Sequence, residues 1–154
     1  MKTTIALATT ILSLGIAGIT PATAFHLSPA GDFTADGDTS ATKGGVTLPC
    51  IAHFTGTVDS NGIGHITGGS FTDNGGVGCT AVTLSGLPWK VKAVKKGKVK
   101  IYKVTFSTPI GDCGPGTIPA PLKKGVLSFT AVPLQPDCSI SGSLTTSPKI
   151  SIVP

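Results

Sequence analysis

Four cysteines are the residues of this chain whose chemistry is simplest to anticipate: Cys50, Cys79, Cys113 and Cys138. They are widely spaced, without the C-x-x-C pairs typical of zinc sites, so disulfides are favoured in an exported protein. Four cysteines allow three pairings. We expect sequential pairing, because each bond then closes a moderate loop within its own half of the chain. The predicted disulfides are Cys50–Cys79 and Cys113–Cys138.

A second cluster is cationic, since seven of the 12 lysines fall between residues 90 and 103. Such a cluster could attract anionic polysaccharide, lipid headgroups or extracellular DNA through a salt-screened field. The interpretation that we favour from the sequence is a solvated edge whose lysines block edge-to-edge strand pairing. The chain has no arginine, and few aromatic residues lie nearby for base stacking, which disfavours sequence-specific nucleic-acid binding. The predicted surface contact residues are Trp89, Lys90, Lys92, Lys95, Lys96, Lys98, Lys100 and Lys103.

The histidines and acids do not predict a metal site. His53 and His65 flank one predicted turn, but the expected strand register keeps them apart and a third ligand is missing. Asp36-Gly37-Asp38 and Asp59-Ser60-Asn61-Gly62 resemble fragments of calcium loops, yet the chain has no glutamate to complete such a loop. We interpret both segments as turns and predict neither metal nor cofactor.

Catalytic groups are equally sparse. The chain has no G-x-S-x-G nucleophile elbow. Two of its seven aspartates could converge for glycoside cleavage, but such enzymes usually have more aromatic platforms than the 5% aromatic content supplies. We therefore predict no catalytic residues and a protein that is not an enzyme.

Strands are the elements that would position these residues. The chain combines 21 glycines and 12 prolines with a complete lack of glutamate and arginine, which disfavours helices. Apolar and polar residues alternate from Val46 to Val58, as in a half-buried strand, and residues 59–62 supply the next tight turn. We expect seven to nine short antiparallel strands in a β-sandwich, with a small β-barrel as the second choice.

The lysine cluster falls on a predicted hairpin that turns near Gly97. Apolar residues would occupy one face and lysines the other, with Ala93 opposite Ile101 and Lys92 opposite Tyr102. Residues 113–121 contain so many glycines and prolines that we expect a loop there.

The N-terminus has the pattern of a secretory signal peptide. A short cationic start precedes the apolar stretch from Ile5 to Ile16, and Ala22-Thr23-Ala24 offers small residues for cleavage before Phe25. We predict a signal peptide at residues 1–24 and a single β-sandwich domain at residues 25–154, without a transmembrane segment after cleavage. The protein would be secreted or lie at the cell surface, with the periplasm as the alternative.

Several short strings together resemble one known family. They are Ser28-Pro29-Ala30, the Cys50-x-Ala52-x-Phe54-Thr55-Gly56-Thr57 pattern, Gly78-Cys79-Thr80-Ala81, and Gly86-Leu87-Pro88-Trp89. This set is similar to the bacterial protein activator of alkane oxidation (Pra) family of small secreted proteins.

The resemblance implies an extracytoplasmic, non-enzymatic protein of a Gram-negative-type bacterium that assists growth on hydrocarbons. Some members are associated with the cell surface or the biofilm matrix, and no catalytic residues carry over. Expected partners are hydrophobic surfaces, or anionic envelope and matrix material, with self-association as a further option. The alternatives are a biofilm matrix adhesin or self-assembling β protein without hydrocarbon preference and, less favoured, a small-molecule carrier.

Overall fold

The fold is known from a computed structural model that describes residues 24–154. The predicted signal peptide lies outside the described residues except for Ala24. Apart from one 3-10 turn at Cys79–Ala81, the regular structure of residues 24–154 is all strand. The strands are β1 (His26–Ser28), β2 (Gly31–Lys43), β3 (Val46–Val58), β4 (Gly64–Asp73), β5 (Thr83–Ser85), β6 (Trp89–Lys95), β7 (Lys98–Thr108), β8 (Gly111–Lys123), β9 (Val126–Leu134), β10 (Cys138–Ser147) and β11 (Ser151–Val153).

The main sheet is a closed antiparallel barrel. Its strands neighbour one another in the order β7, β6, β4, β3, β2, β10, β9 and β8, and pairing of β7 with β8 closes the ring. The predicted all-β class is confirmed. Of the two architectures considered, the structure has the barrel and not the sandwich. β7 pairs with β6 on one side and with β8 on the other, so the sheet closes on itself.

One position in the barrel wall is shared by two short strands. β6 pairs with the first half of β7, while β5 pairs with residues 105–107 of the same strand, so β5 continues the line of β6. The Trp89 indole N–H donates to the carbonyl oxygen of Ser85 across the break at 2.9 Å. This hydrogen bond ties β6 to β5.

The two ends of the barrel differ. At the end we call the ribbon end, β1 and β11 form a separate two-stranded sheet, and Leu27 and Ile150 are buried against the core. The Leu27 N–H donates to the Gly62 carbonyl at 2.9 Å, which fixes this ribbon to the β3–β4 turn. The opposite end, which we call the disulfide end, carries the two disulfide bonds.

Both predicted disulfides are confirmed. Cys50 bonds Cys79, and Cys113 bonds Cys138, with sequence separations of 29 and 25 residues. All four cysteines are buried. Since structural disulfides persist in oxidising compartments, the bonds indicate an extracytoplasmic location. Among residues 24–154, no helix is long and apolar enough to cross a membrane.

Two local predictions are wrong. Residues 113–121 are not a loop but belong to β8, and Asp36-Gly37-Asp38 is not a turn but lies inside β2. Pro119 and Pro121 are two residues apart, so both can occupy positions of the β7 ladder that need no N–H donor. On their other side no N–H donor is needed either, because β8 has no ladder with β9 over this stretch. Gly37 serves close strand approach, because a Cβ there would lie 2.0 Å from the Ser143 carbonyl oxygen.

Candidate functional site

The hairpin of β6 and β7 presents a cationic outer face, which we call the lysine face. Its lysines are exposed except for half-buried Lys98, whereas Val91, Val99 and Ile101 are buried in the barrel. The predicted division into an apolar and a cationic side is therefore present. The lysine face comprises Lys90, Lys92, Lys95, Lys96, Lys98, Lys100 and Lys103.

The register of this hairpin differs from the prediction. Lys92 lies opposite Lys100 instead of Tyr102, and Ala93 lies opposite Val99 instead of Ile101. The reason is a tighter turn, in which Lys95 pairs with Lys98, together with an irregularity between Ala93 and Lys95. The shift is an even number of residues, so the lysines keep their outward direction. The observed register places the like charges of Lys92 and Lys100 directly opposite one another, which lowers the stability of the sheet.

A bulge in β7 adds to the lysine face. The pairing of β7 with β8 shifts between Ile101 and Val104, and both of these residues are buried. The two residues between them, Tyr102 and Lys103, therefore bulge outward, with Lys103 in the left-handed conformation at φ 58°. With Pro88, Lys90 and Lys92 they line a shallow surface depression of about 390 Å³.

The charge of the lysine face is not neutralised locally. Within the described part of the chain, the ion pairs are Lys43 with Asp137, His53 with Asp36, and His65 with Asp59. None of them involves the lysine face. An anionic ligand would thus meet ammonium groups without displacing a bound carboxylate.

Trp89 is not a surface contact residue, which corrects the sequence prediction. Only 3% of its surface is exposed, and its ring centroid lies 6.3 Å from that of Phe54 in the core. Trp89 shares strand parity with buried Val91, so the alternation that sends the lysines outward turns the indole inward.

The two histidines do not come together, because each binds an aspartate of its own. His53 contacts Asp36 on the neighbouring strand. His65 donates from Nε2 to Asp59 Oδ2 at 3.0 Å. The other Asp59 oxygen accepts the backbone N–H groups of Asn61 and Ile63, as expected for a turn residue. The hydrogen bond from His65 and then those from the backbone lower the pKa of Asp59 below its ordinary value of 3.8.

Stability should therefore fall in acid partly through Asp59. A folded-state pKa below the unfolded value means that this contribution is present above the unfolded pKa and is lost as pH falls through the folded pKa. D59N should be less stable than the unaltered chain near neutral pH, with the difference shrinking below pH about 4. Urea unfolding across this range measures it, with D32N as an exposed control on β2. A D59N deficit that does not change with pH would contradict the assignment.

The barrel interior also contains a cavity of about 120 Å³. Its lining contains no charged residue, and four hydroxyl side chains, on Thr39, Ser40, Thr108 and Ser141, are its polar members. Sequence reasoning missed this cavity. Phenylalanines placed directly opposite glycines on neighbouring strands could have indicated it. That placement can be recognised only when the strand register is known.

Comparison with known proteins gives one result. No curated protein and no solved structure matches the chain. Residues 1–154 match the family described as "Alkane oxidation protein activator PraA/PraB-like". The match covers the whole sequence and agrees with the resemblance carried by the short motifs. The chain therefore belongs to the alkane oxidation protein activator PraA/PraB-like family.

Proposed function

We propose that this protein is a secreted, non-enzymatic accessory factor for growth on alkanes that attaches to anionic envelope or matrix material through its lysine face. Two findings support the setting. The family is described as an activator of alkane oxidation, and the disulfides indicate an oxidising compartment.

The observation that carries the adhesive part is the concentration of unpaired positive charge on one hairpin. Lys92 and Lys100 face one another directly, and Lys103 adopts a conformation that a residue with a Cβ rarely occupies. Both features oppose stability, and strain of this kind is concentrated at functional sites. A polyanion would relieve the repulsion by lying between the ammonium groups.

The structure does not support contact with oil through a surface tryptophan, because Trp89 is buried. Self-assembly through free strand edges is also less well supported. Pairing of β7 with β8 closes the main sheet of residues 24–154, and the edges left for self-assembly are β5, the β1–β11 ribbon and the unpaired lengths of β4, β8 and β9 inside the wall.

Binding to anionic vesicles tests the lysine face. The mature protein should bind vesicles containing phosphatidylglycerol, ignore vesicles of phosphatidylcholine alone, and detach as salt is raised. K92Q/K100Q should weaken binding by about 2 kcal/mol, or roughly 30-fold, because each lysine near an anionic surface contributes about 1 kcal/mol.

The matched control is K124Q/K149Q, which removes the same charge from lysines outside the hairpin. It should reduce binding clearly less than K92Q/K100Q does. Alginate in place of the vesicles distinguishes a polysaccharide ligand from a lipid surface. Equal losses in the two variants, or salt-insensitive binding, would contradict an adhesive lysine face.

A further inference from the structure

We propose that the barrel interior is a binding site for an unbranched saturated hydrocarbon chain, which enters through the side of the barrel between β4 and β5. This inference goes beyond the proposed function, because it assigns a ligand to the cavity and makes no use of the lysine face. Either could hold without the other.

The size and lining of the cavity favour an apolar guest. Its volume of about 120 Å³ exceeds by roughly tenfold the ~10–15 Å³ that one water molecule needs. A water molecule also needs two to four polar partners, whereas the wall here consists of apolar side chains and a few hydroxyls. The interior is thus large enough for water but offers it little to bind.

Three phenylalanines help to keep the lumen open. Phe33 lies opposite Gly56, Phe54 opposite Gly69, and Phe129 opposite Gly142 on neighbouring strands. A Cβ built on any of these glycines would lie 2.6–2.7 Å from a ring carbon of the facing phenylalanine. Each ring is therefore laid over its glycine, against the barrel wall, and does not project fully into the centre.

The cavity is elongated along the barrel. Its lining extends from Leu27 and Ile150 at the ribbon end to Leu48 and Cys50 at the disulfide end. A space lined by residues from both ends of the barrel suits a linear alkyl chain better than a compact ring system. Charged side chains are missing from the lining, so a carboxylate at the buried end of the ligand would be left without a partner.

The wall has a seam where a ligand could enter. β4 pairs with β6 only from Gly64 to Ile66, and the described structure has no ladder between the remainder of β4 and β5. Side chains close this seam instead of backbone hydrogen bonds. Phe71, Val82 and Leu84 line the cavity there and are half-buried. Rotation of side chains would open the seam without breaking the sheet.

Trp89 supplies a direct probe, because it is the sole tryptophan of the chain and lines the cavity. Bound 1-bromohexane should quench its fluorescence saturably through the heavy bromine atom, and n-hexane should compete and restore the signal. From n-pentane to n-heptane, competition should strengthen by roughly fourfold per methylene group until the cavity is full. Hexanoate at neutral pH should compete far less well than n-hexane if the site takes an alkane and not a fatty acid.

A cavity-filling variant locates the site. Ala35 is buried and lines the lumen, so A35F should weaken 1-bromohexane binding at least tenfold. A30F adds the same ring at an exposed position between β1 and β2 and should leave binding unchanged. Circular dichroism checks that both variants fold. If A35F does not fold, competition by n-hexane in the unaltered chain decides the matter. Quenching that never saturates, or that n-hexane does not reverse, would overturn the proposal.

Discussion

Replacing Cys113 and Cys138 together with alanine should lower the free energy of unfolding by about 3.5 kcal/mol, since the bond closes a loop with a sequence separation of 25 residues. The bond joins the start of β8 to the start of β10, and β9 lies between these two strands in the barrel. Ladder pairing of β8 with β9 is limited to residues 122–123, and beside the disulfide the Gly114 N–H donates to the Gln135 carbonyl at 2.6 Å, so the covalent bond reinforces sparse backbone hydrogen bonding. Urea unfolding monitored by circular dichroism measures the loss.

The second disulfide provides the matched comparison. C50A/C79A opens a loop of nearly equal separation, 29 residues, and should cost about the same, near 3.6 kcal/mol. Removing both bonds should cost about 7 kcal/mol, which would leave the protein largely unfolded if its total stability is typical at 5–15 kcal/mol. Losses below about 1 kcal/mol for each pair would show that these bonds do not hold the barrel together.

Trp89→Ala should destabilise the barrel by about 3–5 kcal/mol, the usual effect of removing a buried large aromatic side chain. The residue is 3% exposed, packs near Phe54, and joins β6 to β5 through Ser85. Trp89→Phe keeps most of the apolar contact but loses the indole N–H donor, so it should cost less, about 1–3 kcal/mol for an unsatisfied partner.

Urea unfolding of W89A and W89F separates packing from hydrogen bonding. Tyr102→Ala is a useful control, because it removes an aromatic residue from the outer face of the same hairpin. W89A that is as stable as the unaltered chain would contradict a core role. Such a result would return Trp89 to consideration as a surface contact residue.

The sequence carries the local features of the fold and fewer of the long-range ones. The alternation from Val46 to Val58 correctly predicts a strand, because the two-residue period of side chains is a local property. Three disulfide pairings were open from the sequence, and the structure has the one in which each bond closes a moderate loop within its own half of the chain. Barrel closure depends on pairing β7 with β8, and alternation is the same in a sandwich and in a barrel.

The prolines of β8 show why composition misleads at single positions. A proline opposes a strand only where the ladder needs its N–H. At Pro119 and Pro121, β8 pairs with β7 and has no ladder with β9, so both prolines can occupy positions that need no N–H donor. The cavity was hidden for a related reason. An apolar pattern predicts which side chains point inward, but whether they fill the interior depends on register, such as Phe54 lying over Gly69.

The lysine face and the interior cavity divide the proposed work of the protein between two regions. The first would hold the protein near anionic material outside the cell, and the second would take up a hydrocarbon chain. Because the vesicle variants change the outer face of β6 and β7 and the fluorescence variants change the lumen, each proposal can fail without the other.

Growth on an alkane tests the central claim most directly, namely that the protein assists alkane use from outside the cytoplasm. In a strain lacking the gene, growth on n-hexadecane should be delayed while growth on succinate is unchanged. The exported protein should restore growth on n-hexadecane, and a version without residues 2–24 should not. Equal rescue by the version without these residues, or no growth defect on the alkane, would contradict the account.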